Sequence, residues 1–503
     1  MDFLLKRRWE LFAPLAGLLL TLAFSPFNYS YLSIVSLVFI FLSWLNCSPS
    51  RAALRGYLYG LGLFGSGVSW VFVSVYDYGG APFIGAVLLT IAVVCFWALF
   101  PALIAYLSIK IVAKKKKELA IWVIPVIWVL VEYYRGYWFL NGFPWLQIAY
   151  TQLETPLKGF VPILGVYGTG FLLALTASAI VAGINKTIHY KYIVSSLILL
   201  WGMGIYLSSV KWTNVIGEPI KVALIQGNVA QDQKWLAKNR IQTLMSYQQL
   251  TEQHWDADII IWPETAIPAY LSQVKEFYLD PLSAKAKARN VDLIVSLPTR
   301  GKAKEYFNTV LSLGENKGQY NKNHLLPFGE YLPLQPISGF ILDALNINLG
   351  SFTSGGVEQP LLKAGGYPFS TSICYEDAFG EEAVRGMPEA AFLVNVTNDA
   401  WFGDSIEPHQ HMQIAQMRAL ETGRYMLRVT NTGVTAIVAP DGSLVSKAPL
   451  FKQLVLRGSF EPMGGMTPYA KWNDAIIVLT LVLFTCFLFI WLSKKTSIKC
   501  KER

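Results

Sequence analysis

The sequence predicts a polytopic α-helical membrane bundle of eight spans joined to one extramembrane α/β domain. Three observations predict it. The 503-residue chain is 53% hydrophobic and only 15% charged, too apolar for an ordinary soluble protein. Its apolar residues gather in runs of membrane-crossing length across 11–212 and again at 475–492. Between these, 213–470 has normal globular composition, with strand-like runs and regular polar punctuation. The organisation is therefore 1–212 as a bundle of seven helices, 213–470 as the extramembrane domain, and 471–503 as a closing helix and tail.

The expected spans are 11–26, 31–46, 56–76, 83–109, 119–135, 160–184, 191–210 and 473–492. The first two are short and separated by "SPFNYS", as in a helical hairpin with a tight turn. An even number of spans puts both termini on one side, and charge says which. Lys6, Arg7, Arg8, Arg51, Arg55, Lys110, Lys114 to Lys117, Lys186, Lys191, Lys494, Lys495, Lys499, Lys501 and Arg503 all fall in segments on that same face. The opposite short loops hold only Arg135 and Lys158. By the positive-inside rule both termini are cytoplasmic, and 213–470 lies outside the cytoplasmic membrane.

The net charge of +9 is a topology signal rather than a nucleic-acid signal. Residues 211–470 contain 22 Lys+Arg against 25 Asp+Glu, a net of −3. The N-terminus has a basic start and an apolar run, but "SPFN" lacks a small-x-small cleavage pattern and more spans follow, so it reads as a retained helix. Cys47, Cys95, Cys486 and Cys500 fall in spans or on the cytoplasmic side. Cys374 is the one cysteine of the outer domain and has no partner there for an intrachain disulfide.

Within that domain, β-branched runs recur: "VALIQGNV" (222–229), "DIIIWPE" (258–264), "DLIVSLP" (292–298), "FNTVLSL" (307–313), "FSTSICYE" (369–376), "AFLVNVTND" (391–399), "YMLRVTNTG" (425–433) and "TAIVAPDG" (435–442). Several are continuous rather than alternating, as strands buried on both faces must be. Helix-like segments at 239–254, 278–290 and 407–423 lie between some of them, and this alternation predicts helices packed over sheets.

Three strand ends carry reactive side chains: Glu264 in "WPETA", Lys322 and Glu330 in "YNKNHLLPFGEYLP", and Cys374 with Tyr375 and Glu376 in "SICYE". A free thiol has a pKa of about 8.5 and needs help to attack. Glu264 is suited to take the thiol proton as general base and return it to a leaving group. Lys322 is suited to stabilise the thiolate and then the oxyanion. The chemistry implied is acyl transfer through a thioester. The turn after Cys374 leads into "FGEEAVRG", an expected short helix whose amides favour the same negative charge.

"WPETA", "YNKNHLLPFGEYLP", "SICYE" and "TNDAWFG" together resemble the nitrilase superfamily, and with the eight-span frame the chain is similar to its membrane-embedded apolipoprotein N-acyltransferase family. That resemblance implies a nitrilase-like α-β-β-α sandwich using Glu264 as base, Lys322 as oxyanion stabiliser and Cys374 as nucleophile. It also implies supporting or substrate-binding roles for Trp235, Glu330, Tyr375 and Glu376. Glu330 and Glu376 either steady Lys322, carry a second proton, or pair with structural basic residues; Trp235 and Tyr375 either pack or meet substrate. Asp399 and Trp401 read as scaffold near the site. The implied reaction takes an acyl chain from a phospholipid such as phosphatidylethanolamine and gives it to the N-terminal α-amine of a diacylglyceryl-cysteine lipoprotein. No cofactor or metal is implied, and a monomer in the bacterial inner membrane suffices, its catalytic domain facing the periplasm.

Two rivals remain. A membrane-tethered amidase would pass the thioester to water, and a sensor or transporter would only bind ligands. Transport spans usually carry polar groups, and these carry few. Glu132 and Arg135 are three apart at the end of a span and face one side of it. The aromatic loop after them suits interfacial packing. "GLGLFGSG" (60–67) lies within a span and reads as helix-packing surface. His409 and His411 lack the i, i+4 spacing of a paired metal ligand.

Overall fold

The computed structural model describes residues 2–112, 117–302, 305–333, 339 and 351–487. The lysines at 114–116, the tail basic residues from Lys494 to Arg503, Cys500 and positions 488–492 of the closing span lie outside the described residues, as do the side chains of Lys6, Arg7 and Lys117. The chain divides into two compact units. One comprises Met1–Ser69, Val87–Val210 and Trp472–Arg503; the other comprises Trp70–Ala86 and Lys211–Lys471.

The first unit is helical. Among the described residues four helices are long and apolar enough to cross a membrane: Phe83–Val112, Leu119–Asn141, Pro156–Ile184 and Tyr190–Ser208. A fifth is added if Pro49–Gly67 and Val71–Tyr78, a bent pair, count as one span. Leu32–Trp44 and Ala475–Phe487 are apolar but shorter. The window 56–76, expected as one span, is thus broken after Gly67, and the part beyond Trp70 joins the other unit. Apolar composition marks this piece as a span, yet its first ring, Trp70, is buried within the other unit.

The glycines of Pro49–Gly67 do what small residues do between membrane helices, which is to let backbones touch. A Cβ on Gly56 would lie 2.4 Å from the carbonyl oxygen of Pro101, and one on Gly60 would lie 2.7 Å from the Cα of Ala98. Glu132 and Arg135 are both buried. Glu132 accepts a hydrogen bond from the backbone N–H of Ile148 (3.3 Å), and the Arg135 guanidinium lies 5.4 Å from the Phe64 ring.

The second unit is the layered α/β domain. One six-stranded sheet has the order β13-β2-β3-β4-β5-β6, from Leu454–Phe460, Ile220–Gln226, Ile259–Ile261, Asp292–Arg300, Tyr306–Leu313 and Gly318–Asn321. The other has the order β12-β11-β10-β9-β8-β7, from Leu444–Lys447, Ala436–Val438, Met426–Thr430, Phe392–Thr397, Tyr367–Ile373 and Leu362–Ala364. A small pair, β1 (Thr213–Val215) with β14 (Met463–Gly465), closes the ends of the segment.

Side-chain alternation explains the layers. Val222 and Leu224 of β2 pack with Phe369, Val394 and Leu427 in the core between the sheets. Ala223 and Ile225 face the opposite way, onto Leu244, Tyr247 and Leu282 of the helices Arg240–Glu252 and Asp280–Ala288. On the far face of the second sheet, Leu393 and Met426 pack on Met412, Ala415 and Ala419 of the helix Glu407–Thr422. Helix, sheet, sheet, helix: this is the nitrilase-like sandwich. The eight strand-like runs each contain a strand; β1, β6, β7, β12, β13 and β14 are the ones sequence reading passed over.

Candidate active site

Strand direction assembles the site. In the first sheet β2, β3 and β4 are parallel, while β5 and β6 each reverse direction. The segments following β3 and β6 therefore leave from the same edge, and they carry Glu264 and Lys322. In the second sheet β8, β9 and β10 are parallel. Their C-terminal ends carry Cys374, Asp399 and Asn431 to one edge.

The Lys322 ammonium is buried and held by both oxygens of Glu330, at 2.9 and 2.8 Å. Glu330 also accepts from the backbone N–H of Leu326 (2.8 Å). Asn308 donates to Glu264 Oε1 at 2.7 Å and reaches Glu330 Oε1 at 3.4 Å, so one amide spans the two carboxylates. Glu330 is thus the group that steadies Lys322, one of the three roles left open for it.

Burial pushes the Glu264 carboxyl up; Lys322 offsets this in part, and the charge of Glu330 adds to it. Burial alone would push Lys322 down, but Glu330, Cys374 and Glu264 outweigh it and hold the ammonium well above its ordinary range. The Cys374 thiol is pushed up to about 12, by burial first and by Glu264 next, with Lys322 and His411 pulling the other way. The resting sulfur is therefore a thiol, flanked by a raised carboxylate and a fixed cation.

Cys374 itself has φ of +52°, in the left-handed region that costs a non-glycine residue about 1–2 kcal/mol. It opens a short turn, Cys374–Ala378. Glu376 staples this turn to the lysine-bearing segment. Its Oε1 accepts from Tyr320 Oη (3.0 Å) and the backbone N–H groups of Asn323 (2.6 Å) and His324 (3.0 Å). Its Oε2 accepts from Tyr320 Oη (3.1 Å) and the N–H of Ile373 (2.7 Å). Burial and then Glu382 push this carboxyl up to about 8, and the donors around it oppose that rise. Glu376 is a structural link between the two segments.

Tyr375 is buried, its ring against Phe379 (5.3 Å) and His324 (6.1 Å). Trp235 is half-exposed at the end of the short helix Gln231–Lys234. The expected anion-favouring helix after Cys374 is only Gly380–Val384, begins beyond the intervening turn, and carries Glu381 and Glu382 in its first turn. It is too short and too acidic to favour a thiolate.

Sequence reading missed Lys234. This side chain is buried, and its Nζ donates to the backbone carbonyl of Glu264 at 3.2 Å. Burial lowers it to about 8, although Glu264 pulls it up. Its only sequence signal was its place beside Trp235. Also missed was a buried charged set behind the Cys374 turn: Asp377, His411 and Arg428 around Asp399.

Two family profiles match the chain: Apolipoprotein N-acyltransferase N-terminal domain over residues 16–179, and Carbon-nitrogen hydrolase over 221–458. An apolipoprotein N-acyltransferase of Methylococcus capsulatus is 48% identical over 482 residues, covering 95% of this chain and 95% of that one. That of Nitrosomonas europaea is 40% identical, covering 90% of this chain and 91% of its own. Among solved structures, a branch 10 nitrilase-superfamily protein of Saccharomyces cerevisiae is 18% identical with a TM-score of 0.38, over 50% of this chain and 92% of that chain.

Proposed function

Since the chain belongs to the apolipoprotein N-acyltransferase family, we propose that it moves an acyl chain from a phospholipid, through a thioester on Cys374, to the N-terminal α-amine of S-diacylglyceryl-cysteine lipoproteins. The observation that carries this reading is the carboxyl–ammonium–thiol set: Glu264 and Lys322 bridged through Asn308 and Glu330, with both of their charges acting on Cys374.

The reaction runs in two halves, as a ping-pong cycle. Glu264 accepts the Cys374 proton as Sγ attacks the ester carbonyl carbon of the donor, phosphatidylethanolamine among others. Lys322 faces the oxyanion that forms, and Glu330 keeps the ammonium in place during that step. The ester C–O bond breaks, Glu264 returns the proton to the leaving oxygen, and lysophospholipid departs. The acceptor's neutral α-amine then attacks the thioester carbon, the C–S bond breaks, and the amine proton passes to Glu264 and on to the departing Cys374 thiolate, restoring the thiol. Thioester to amide is downhill, so no nucleotide is required. Trp235, half-exposed, is the supporting group left to meet substrate, while Tyr375 is buried against Phe379 and His324 and packs the Cys374 turn.

The same reading places the chain in the bacterial inner membrane as a monomer with eight spans. Its termini are cytoplasmic, and 213–470 faces the periplasm beside the leaflet that holds both substrates' tails. The basic segments at Arg51, Arg55, Lys110, Lys186 and Lys191 support that orientation.

The test is mass spectrometry of the purified protein with phospholipid, followed by addition of a diacylated lipopeptide. An acyl adduct on Cys374 that disappears as amide product forms is the expected result. A Cys374→Ala protein that still acylates the lipopeptide overturns the reading. An adduct that only hydrolyses favours the membrane-tethered amidase instead.

A further inference from the structure

The turn that bears Cys374 is held from two sides. Glu376 ties it outward to the lysine segment; inward, Asp377 enters a closed ring of charges. His411 Nε2 meets Asp377 Oδ1 at 2.9 Å and its Nδ1 meets Asp399 Oδ1 at 3.0 Å. Arg428 donates to Asp377 Oδ2 at 2.9 Å and to Asp399 Oδ2 at 3.2 Å. Two cationic side chains thus bridge the same two carboxylates, and all four side chains are almost fully buried.

A second path leads from this ring to the nucleophile's own backbone. Arg428 also donates to Asn395 Oδ1 (2.7 Å), and Asn395 Nδ2 donates to the carbonyl oxygen of Cys374 (3.3 Å) and to Ser372 Oγ (3.0 Å). The circuit leaves Cys374, runs through Asn395 and Arg428, and returns at Asp377, three residues further along the same turn. Gly433 lies against the ring, since a Cβ there would sit 2.3 Å from Asp399 Oδ2.

Burying charges costs several kcal/mol per ion unless geometry and hydrogen bonds compensate. A residue held at positive φ needs surroundings that over-determine it. We propose that Asp377, Asp399, His411 and Arg428, acting through Asn395, are positioning residues that fix the Cys374 turn in its left-handed conformation and so aim the sulfur at the donor ester. This rests on the reading of Cys374 as nucleophile, and deepens it. The groups facing His411 are Asp377 from the nucleophile turn, Asp399 from the end of β9, Arg428 from β10, and Glu407 one helical turn away at 3.5 Å. Burial and Arg428 push the imidazole down, but Asp377 and Asp399 on its two nitrogens outweigh them and hold it charged, well above its ordinary range. That charge also lowers the thiol in part.

The experiment uses the full-length protein in detergent with phosphatidylethanolamine, comparing His411→Gln, Asp377→Asn and Asn395→Ala. Two quantities are read: the rate of acyl-enzyme formation against donor concentration, and the pH profile of Cys374 alkylation by iodoacetamide, followed on the peptide that contains it. Asn395→Ala breaks the link at the Cys374 carbonyl without removing a charge, so it serves if the charged variants do not fold. The expected result is about a 10- to 100-fold loss in the rate constant at saturating donor, with little change in the half-saturating concentration. The alkylation limb of His411→Gln moves to higher pH. Wild-type rate constants in the variants that fold overturn the proposal, as does a loss confined to the half-saturating concentration. Alkylation reads the sulfur without any acyl transfer, so a failure of the proposed reaction, seen in Cys374→Ala, is distinguishable from a failure of this one.

Discussion

In the proposed reaction Glu264 is the residue on which the first proton transfer turns, because a thiol pushed up to about 12 does not ionise unaided near neutrality. Glu264→Gln keeps a partner for Asn308 but removes the base. Acyl-enzyme formation is expected to fall about 10²- to 10⁴-fold, with the folded protein intact, measured as adduct on Cys374 over time. Lys234 gives the pH-dependent counterpart. Its folded pKa is lowered from 10.5 to about 8. Between these values the unfolded chain binds the proton that the folded protein lacks, so stability rises with pH across that window. Below about pH 8 the buried ammonium is a cost. Lys234→Met is therefore expected to gain up to about 3 kcal/mol at pH 7 and to lose that advantage by pH 10.5, read from denaturant midpoints at the two pH values. Lys234 escaped sequence reading because a lysine in "QDQKWL" resembles any surface lysine; only the close approach of the loop to Glu264 buries it. Glu264 and Cys374 stood out because each stands where an apolar run stops, whereas Lys322 follows the polar strand "GQYN" and stood out only through the motif "YNKNHLLPFGEYLP".

At the scale of elements, Glu376 joins the Lys322 and Cys374 segments, beside Glu382, which meets Asn323 and His324. Glu376→Gln puts an amide donor where one of the two oxygens faces backbone N–H and phenol donors. It is expected to destabilise the second unit by about 2–3 kcal/mol, read in thermal unfolding, and to slow acyl-enzyme formation along with it. Among the bundle helices, Gly60→Leu forces a side chain into the backbone of Ala98 and is expected to cost about 1–3 kcal/mol or more, read as faster heat inactivation in detergent. The strands that sequence reading found are those buried on both faces. Those it missed are short or lie at sheet edges, where β12 reads "LVSK" and β6 reads "GQYN", patterns that polar loops share. The charged ring behind Cys374 was illegible for another reason: its members come from four separate elements and no local spacing joins them.

For the whole molecule, the proposed orientation makes a direct prediction. In a Cys374→Ala background, a cysteine replacing Lys302 is expected to react with a membrane-impermeant maleimide added to cells with a permeabilised outer membrane. One replacing Lys186 is expected to react only after the inner membrane is opened. The reverse pattern sinks the orientation. Span number was less legible than the layered domain, because hydropathy alone does not say whether an apolar segment meets lipid or protein. The segment 70–86 is the case in point. Two of its rings pack on the rest of the second unit: Trp70 lies edge-on to Phe402 at 4.9 Å, Tyr78 lies against Trp401, and Trp70 Nε1 donates to Gln410.

That segment changes what a minimal version of the catalytic unit would be. The chain enters this unit twice, at Trp70 and at Lys211, so no single stretch of sequence encodes all of it. A clone begun at Lys211 and stopped at Lys471 would carry both sheets and Glu264, Lys322 and Cys374, yet would uncover the Phe402 ring and more of Trp401, which is already exposed. Fusing 70–86 to that clone through a flexible linker is the repair the structure specifies.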